Sequence, residues 1–241
     1  MPLPHPNDPG SLALFVFDEF RRHIGLFFTA VFFSFLLRTR EHLSQVKEDK
    51  LNAALSSLKS QINPHFLFNT LNSIYALSVK KDDSTPDAII NLSGLMRYVI
   101  SDADNNRIAL QKEIDYINNY IELQKERLGN TAIIRFESSG ETGGKEIAPL
   151  ILITYIENAF KYGVNPDADE SLVEVTIHIT GSTLNLFVFN NKVPLPKHIE
   201  STGIGISNTA ERLNLLYPDK YNLLIKEDKV TYSVNLSITL K

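Results

Sequence analysis

Gln61, His65, Asn69 and Asn72 recur at intervals of four, four and three residues, a spacing that puts all four on one face of an α-helix. An imidazole near its ordinary pKa of about 6.5 carries a neutral, nucleophilic nitrogen at cellular pH. The flanking amides of Gln61, Asn69 and Asn72 can orient such a ring, or a phosphoryl group forming on it, without competing as nucleophiles. Pro64 stands immediately before His65. A proline inside a helix has no N–H to give the preceding turn and costs about 3 kcal/mol. It separates two apolar stripes, Leu51, Leu55, Leu58, Ile62 before it and Leu67, Leu71, Ile74 after it, with Phe66 and Leu77 beside the second. At about 100° per residue the two stripes face different directions, and His65 lies opposite the second. A phosphoryl acceptor and a surface histidine beside a kinked helix both fit these residues.

A phosphoryl acceptor needs a donor, and two segments have the chemistry to hold one. In YIENAFKYG, residues 155–163, Asn158, Lys161 and Tyr162 share a face at the end of an apolar helix. An Asn amide oxygen can ligate Mg²⁺ and a lysine can pair with phosphate oxygens. An amphipathic helix end whose lysine favours the C-terminal dipole has the same composition. In STGIGISN, residues 201–208, Gly203 and Gly205 allow close approach of backbone to phosphate ahead of a helix N-terminus. A simple loop fits there too; the spacing matches neither GxGxxG nor GxxxxGK[ST].

Three zones must position these residues. Residues 1–40 form an apolar leader in which 24–37 carries no charge. Fourteen helical residues span about 21 Å, short of a hydrocarbon core of about 30 Å. The segment is expected to be a short or final transmembrane span, with a buried or interfacial helix as the other reading. Residues 41–128 carry helical periodicity. The turn DDSTP at 82–86 closes one helix and Pro86 opens the next; its stripe Ile89, Leu92, Met96, Val99 is interrupted by the polar patch 102–107, then resumes at Leu110, Ile114, Ile117 and Ile121. A hairpin with two such seams is expected to form a four-helix bundle as a homodimer. Residues 129–241 alternate strand and helix: strands over 132–137, 172–180, 184–190, 221–227 and 231–240, and helices over 149–162 and 208–216, the latter with a capping box of Asn208 and Glu211. The expected fold is α+β, a helical hairpin followed by an α/β sandwich with a mixed sheet.

Composition narrows the chemistry. Hydrophobic residues are 43% and charged residues 22% of 241, the balance of a globular chain. A net charge of −4 and no basic patch argue against direct nucleic-acid binding. With no cysteine there is no thiol catalysis and no Cys-ligated metal, and the six histidines show no metal-ligand spacing.

The segment LKSQINPHFLFNTLNSIYAL resembles the phospho-acceptor box of LytS/YehU-type sensor histidine kinases, through the run NPHFLFN above all. The likeness continues through LSGLMRYVI (92–100) and IDYINNYIELQKERLG (114–129) and covers about 200 residues. It implies ATP-dependent autophosphorylation of His65, with Asn69 beside it, and transfer to an Asp of a response regulator, of the LytTR type. IENAFKYG resembles the N box of GHKL ATPases, and GIGISNTAERL their second glycine box. That implies Mg²⁺–ATP between the Asn158 helix and a lid over about 191–205, with Asn158 as metal ligand, Lys161 and Tyr162 at the phosphates, and Gly203 and Gly205 as hinge. Where the family has Asp-x-Gly to read adenine, this chain has Asn190, Asn191 and Lys192. Tyr162 stands where histidine is common. Thr154 stands where hydrolytic relatives carry a glutamate, which disfavours a plain ATPase. The altered glycine box leaves a second reading, a dimeric scaffold or pseudokinase that binds a regulator.

Overall fold

The computed structural model describes residues 64–103, 105–165, 171–193 and 204–240, a helical stretch at 32–40, and single helical positions between 17 and 26; for 64–65 and 204–207 it describes the backbone alone. The chain divides into two compact units, Met1–Lys59 and Ser60–Lys241. In the first, Phe32, Phe33 and Phe35 are exposed on the 32–40 helix. Among the described residues no helix is long and apolar enough to cross a membrane. The stripe from Leu51 to Ile62 lies outside the described residues.

The second unit runs α1 (Pro64–Lys80), α2 (Thr85–Ser101), β1 (Ile108–Ala109), α3 (Leu110–Leu128), β2 (Ile133–Ser139), β3 (Glu146–Ile147), α4 (Ile151–Gly163), β4 (Leu172–Thr180), β5 (Thr183–Asn191), α5 (Ile204–Leu216), β6 (Tyr221–Glu227) and β7 (Thr231–Thr239). The turn after α1 forms as its residues dictate. Lys81 takes a left-handed φ of 55°, Asp82 Oδ1 accepts the Ser84 N–H at 3.0 Å, and Pro86 sits in the first turn of α2, where its missing N–H costs nothing.

Within the single chain the apolar stripe of α1 divides between two faces, and one expectation for the helices is corrected. Leu71 is exposed with Phe68, Tyr75 and Val79, while Phe66, Leu67, Ile74 and Leu77 are half-buried and Thr70 is buried. The polar patch 102–107 is no interruption within one helix but a reversal. Asp102 caps α2, its N–H bonding the Tyr98 carbonyl. Ile108 and Ala109 then pair with Ile147 and Glu146 across the chain. So α3 returns antiparallel along α2: Tyr98 meets Tyr116 with ring centroids 4.4 Å apart, and Ser84 Oγ donates to Glu126 at 3.2 Å. At their crossing Gly94 lies so close that a Cβ would come 2.4 Å from Asn119 Nδ2.

The five-stranded sheet has the order β2-β4-β5-β7-β6, with β2 and β4 parallel and all other pairs antiparallel. It is the mixed α+β layer expected. Gly181, at φ 56°, makes the tight β4–β5 turn. Period-2 alternation sends Val173, Val175, Ile177, Leu184, Leu186, Val188, Val234, Leu236 and Ile238 to one buried face. Over β4 and β5 lies α4, whose Ile151, Leu152, Tyr155, Ile156 and Ala159 are fully buried; each large side chain contributes about 2 kcal/mol by area removed from water. The other face mixes polar and apolar side chains: Arg135 pairs with Glu174 and Ser139 Oγ lies 2.9 Å from His178 Nδ1, on the face that also carries Leu172, Phe187 and Phe189. The last helix, α5, packs beside α4 and begins at Ile204. Asn208 therefore lies in its second turn, too late to cap the first N–H groups, and the expected capping box is absent.

Candidate functional site

Residue 65 occupies the first turn of α1. Its neighbour Phe66 stacks on Tyr120 of α3, centroids 4.8 Å apart, and Tyr120 meets Phe160 of α4 edge-on at 5.7 Å. The phenol of Tyr120 is held by Gln124 Nε2 at 2.7 Å, and Gln124 in turn accepts two bonds from Arg127, at 2.9 and 2.6 Å. Three rings thus carry the start of α1 onto the helix that bears Asn158. Asn69 is half-buried and Asn72 exposed.

Along α4, Asn158 and Tyr162 are half-buried and Lys161 is exposed, while Ala159, Phe160 and Gly163 pack inward. The three polar residues share the face expected of them, and Lys161 Nζ lies 5.0 Å from the Tyr162 ring centroid. Burial pushes the Glu157 carboxyl up to about 7. Thr154 Oγ1 donates to the Leu150 carbonyl at 3.2 Å, a helix-internal bond with no catalytic character.

Asn190, at the end of β5, reaches this helix directly. A Cβ on Gly163 would lie 2.5 Å from Asn190 Cβ, so the glycine is what lets strand and helix end meet. Asn190 is fully buried. Its Nδ2 donates to the Asn191 carbonyl at 2.9 Å, and its Oδ1 has no partner among the described residues. A buried acceptor without a donor costs about 1–3 kcal/mol, so an orphan of this kind calls for a ligand or a function. Directly opposite in register is Tyr232, whose hydroxyl is likewise buried without a described partner. Burial, then Glu227 and Tyr162, push its phenol above the ordinary range. Lys192, which replaces a glycine of the family pattern, points away. Its Nζ binds Glu227 Oε1 at 2.6 Å and the Asp228 carbonyl at 2.7 Å. Asn191 Oδ1 accepts the Leu172 N–H at 2.7 Å and so ties the start of β4 to the end of β5.

The fold therefore gathers Asn158, Lys161, Tyr162 and Asn190 at one end of α4. Gly205 falls in the first turn of α5; Gly203 and the bulk of the expected lid lie outside the described residues. Among the described residues no group of three His, Asp or Glu side chains could hold a metal ion. Mg²⁺ in nucleotide sites keeps several waters and takes few protein ligands beside the phosphate oxygens, so one Asn oxygen can serve as the protein's share. The residues present thus fit a Mg²⁺-bound nucleotide. Tyr232, Tyr120 and the fully buried Glu113 were not singled out by sequence. Only Glu113 left a signal there, a carboxylate in the helical row of Ile117, Tyr120 and Gln124.

The family model described as "Histidine kinase" matches residues 53–132. Sensor histidine kinase YpdA of Escherichia coli (strain K12) is 31% identical over 182 residues, 72% of this chain and 32% of that protein. Sensor protein LytS of Bacillus subtilis (strain 168) is 28% identical over 212 residues, 83% of this chain and 35% of its own. The chain spans about a third of the length of the curated relatives it matches. Among solved structures, the histidine kinase domain from Erythrobacter litoralis EL346 blue-light activated histidine kinase aligns at a TM-score of 0.42 and 14% identity, over 77% of this chain and 90% of that one.

Proposed function

We propose that the chain, a member of the histidine kinase family of the LytS and YpdA sensor proteins, transfers the γ-phosphoryl group of ATP to its own His65 and then to an aspartate of a response regulator. The observation that carries this reading is the Phe66–Tyr120–Phe160 stack, which links the His65 turn through α3 to the helix of Asn158 within one compact unit.

The roles follow from the residues. Asn190 Oδ1 is the acceptor for the exocyclic amino group of adenine, which satisfies the orphan. Tyr162 and Lys161 would contact the phosphates, the ammonium balancing their charge. Asn158 would hold Mg²⁺ through its amide oxygen, and the ion would supply neutralisation of phosphate charge. A neutral ring nitrogen of His65 attacks the γ-phosphorus, the bond to the ADP oxygen breaks, and the proton on the other ring nitrogen passes to solvent. Asn69, one helical turn on, orients the ring. Gly203 and Gly205 are the hinge of a lid over 191–205. Thr154, bonded within its helix, offers no carboxylate to activate water, which favours transfer over hydrolysis.

Residues 41–128 are the dimerisation and phosphotransfer region and 129–241 the ATP-binding region, with α3 packed against both. Phe68, Leu71, Tyr75 and Val79 on α1, with Ile89, Ile90 and Ile100 on α2, supply exposed apolar surface suited to a homodimeric four-helix bundle. A response regulator of the LytTR type and inner-membrane association through 24–37 complete the reading.

Incubation of the full chain with γ-labelled ATP and Mg²⁺ tests it. Acid-labile label on the wild type, absent from His65→Gln and Asn158→Ala, is expected. ATP binding without label makes the chain a scaffold, and steady phosphate release independent of His65 makes it an ATPase.

A further inference from the structure

The helix that carries Asn158 has no cap of its own. Its N-terminus reads EIAPL, with no Ser, Thr, Asp or Asn at the capping position. Leu150 fills that position in a left-handed conformation, φ 60° and ψ 19°, and makes no side-chain cap. Yet this end of the helix is buried: Ala148, Ile151 and Leu152 are fully inaccessible. Unpaired N–H groups there would each cost a full desolvation penalty.

The cap comes from another element. Glu113 of α3, fully buried, accepts the Leu150 N–H on Oε2 at 3.0 Å and the Leu152 N–H on Oε1 at 3.3 Å. The same Oε2 accepts the hydroxyl of Tyr98 from α2. Burial raises the Glu113 carboxyl; Tyr98, the two N–H groups and, more distantly, Arg212 of α5 act against it. One carboxylate thus joins α2, α3 and the start of α4. Next to it Tyr217 closes the α5 side, its hydroxyl accepting the Ala148 N–H at 2.8 Å. A buried anion is costly to place, and a hydrophobic contact would stabilise the packing as well. What a carboxylate adds is geometry: three directed bonds fix where α4 begins relative to the hairpin.

We propose that Glu113 is a positioning residue for the kinase reaction, setting the helix of Asn158 and, through Tyr98, tying it to the hairpin that carries His65. The proposal rests on the function proposed above. From Leu152 to Asn158 is six residues, about 9 Å of rigid helix. A tilt at the capped end therefore moves Asn158, Lys161 and Tyr162 as a body. Displacement of about 1 Å at a reacting centre costs about a hundredfold in rate.

Glu113→Ala, Glu113→Gln and Tyr98→Phe in the full chain, assayed below their unfolding temperatures, test this. The probes are a fluorescent trinitrophenyl analogue of ATP for affinity and γ-labelled ATP with Mg²⁺ for the rate at His65. Glu113→Ala loses every bond, and the expected result is at least a tenfold fall in both affinity and labelling rate of the folded protein. Glu113→Gln keeps one carbonyl oxygen for Tyr98 and Leu150, and is expected to recover most of the affinity. Tyr98→Phe keeps the cap but cuts the tie to α2. Its affinity is expected within twofold of wild type, with labelling at saturating ATP reduced fivefold or more. Folded variants that melt earlier but bind and label as wild type overturn the proposal, since the carboxylate is then only structural. Equal losses in Glu113→Gln and Glu113→Ala overturn it also. If the wild type itself takes no label, the function fails rather than the role of Glu113.

Discussion

Replacing Asn190 by leucine should stabilise the protein and disable it together. The two side chains have similar branching and size, so Leu fits the slot facing Gly163 with little repacking. The substitution removes a fully buried Oδ1 that has no described donor, worth about 1–3 kcal/mol. It also removes the bond from Nδ2 to the Asn191 carbonyl, worth about 1 kcal/mol, and that carbonyl belongs to a half-buried residue with access to water. The balance is a gain of about 1 kcal/mol for the nucleotide-free protein, or about 2–4 °C in melting temperature for a unit of this size. The same change deletes the only group here assigned to read adenine. Calorimetric melts with and without Mg²⁺–ATP give both quantities: wild type should shift upward with nucleotide, and Asn190→Leu should start higher and not shift. A variant that melts lower than wild type and still responds to ATP would refute the reasoning, because Oδ1 would then be neither an energetic debit nor the adenine acceptor.

Other substitutions probe the surrounding contacts. Gly163→Ala would put a Cβ 2.5 Å from Asn190 Cβ; overpacking of about 1–3 kcal/mol outweighs a gain in helix propensity of under about 1 kcal/mol, so denaturant unfolding should show a net loss and nucleotide titration a weaker affinity. Tyr120→Leu keeps a buried apolar side chain but removes the ring between Phe66 and Phe160; labelling of His65 should fall while binding of the ATP analogue persists. Asp228 takes the N–H of Val230 at 2.8 Å and the N–H and hydroxyl of Thr231 at 2.7 and 2.8 Å, bonds that hold its carboxyl below the usual carboxylate range. A depressed folded-state pKa gives stability that is present above the ordinary value of about 3.9 and lost as pH falls through the lowered one. Acid titration of stability in Asp228→Asn should therefore show a less stable protein at neutral pH and a shallower loss below about pH 4.

The β4–β5 hairpin was legible because its alternation and the Gly181-Ser182 turn are local properties. So was α4, whose first half is apolar almost throughout, and so was the grouping of Asn158, Lys161 and Tyr162, which helical spacing alone fixes. The reversal at 102–107 was not legible. A polar patch inside a periodic pattern looks like a solvated turn of helix, and the pairing of Ile108 with Ile147 that bends the chain lies 39 residues away in sequence. The outward turn of Leu71 was hidden for a related reason: an apolar stripe shows that a face is to be covered, not by what. Tyr232 became relevant only through strand register, which sets it opposite Asn190. Lys192 read as an intruder in the glycine box, but its partners Glu227 and Asp228 come from a turn that sequence cannot place beside it.

Glu113 also sets an order of events in synthesis. Its bond to Tyr98 reaches 15 residues back, but its bonds to Leu150 and Leu152 reach 37 and 39 residues forward. When α2 and α3 have left the ribosome, the carboxylate has no α4 to cap and burying it then would strand a charge. Full burial of Glu113 between α2 and α3 therefore gains its two backbone bonds only once the next helix has been made. Long-range closures of this kind are slow steps in folding. The contact that fixes the hairpin around Glu113 is thereby the one that joins it to α4 of the sandwich.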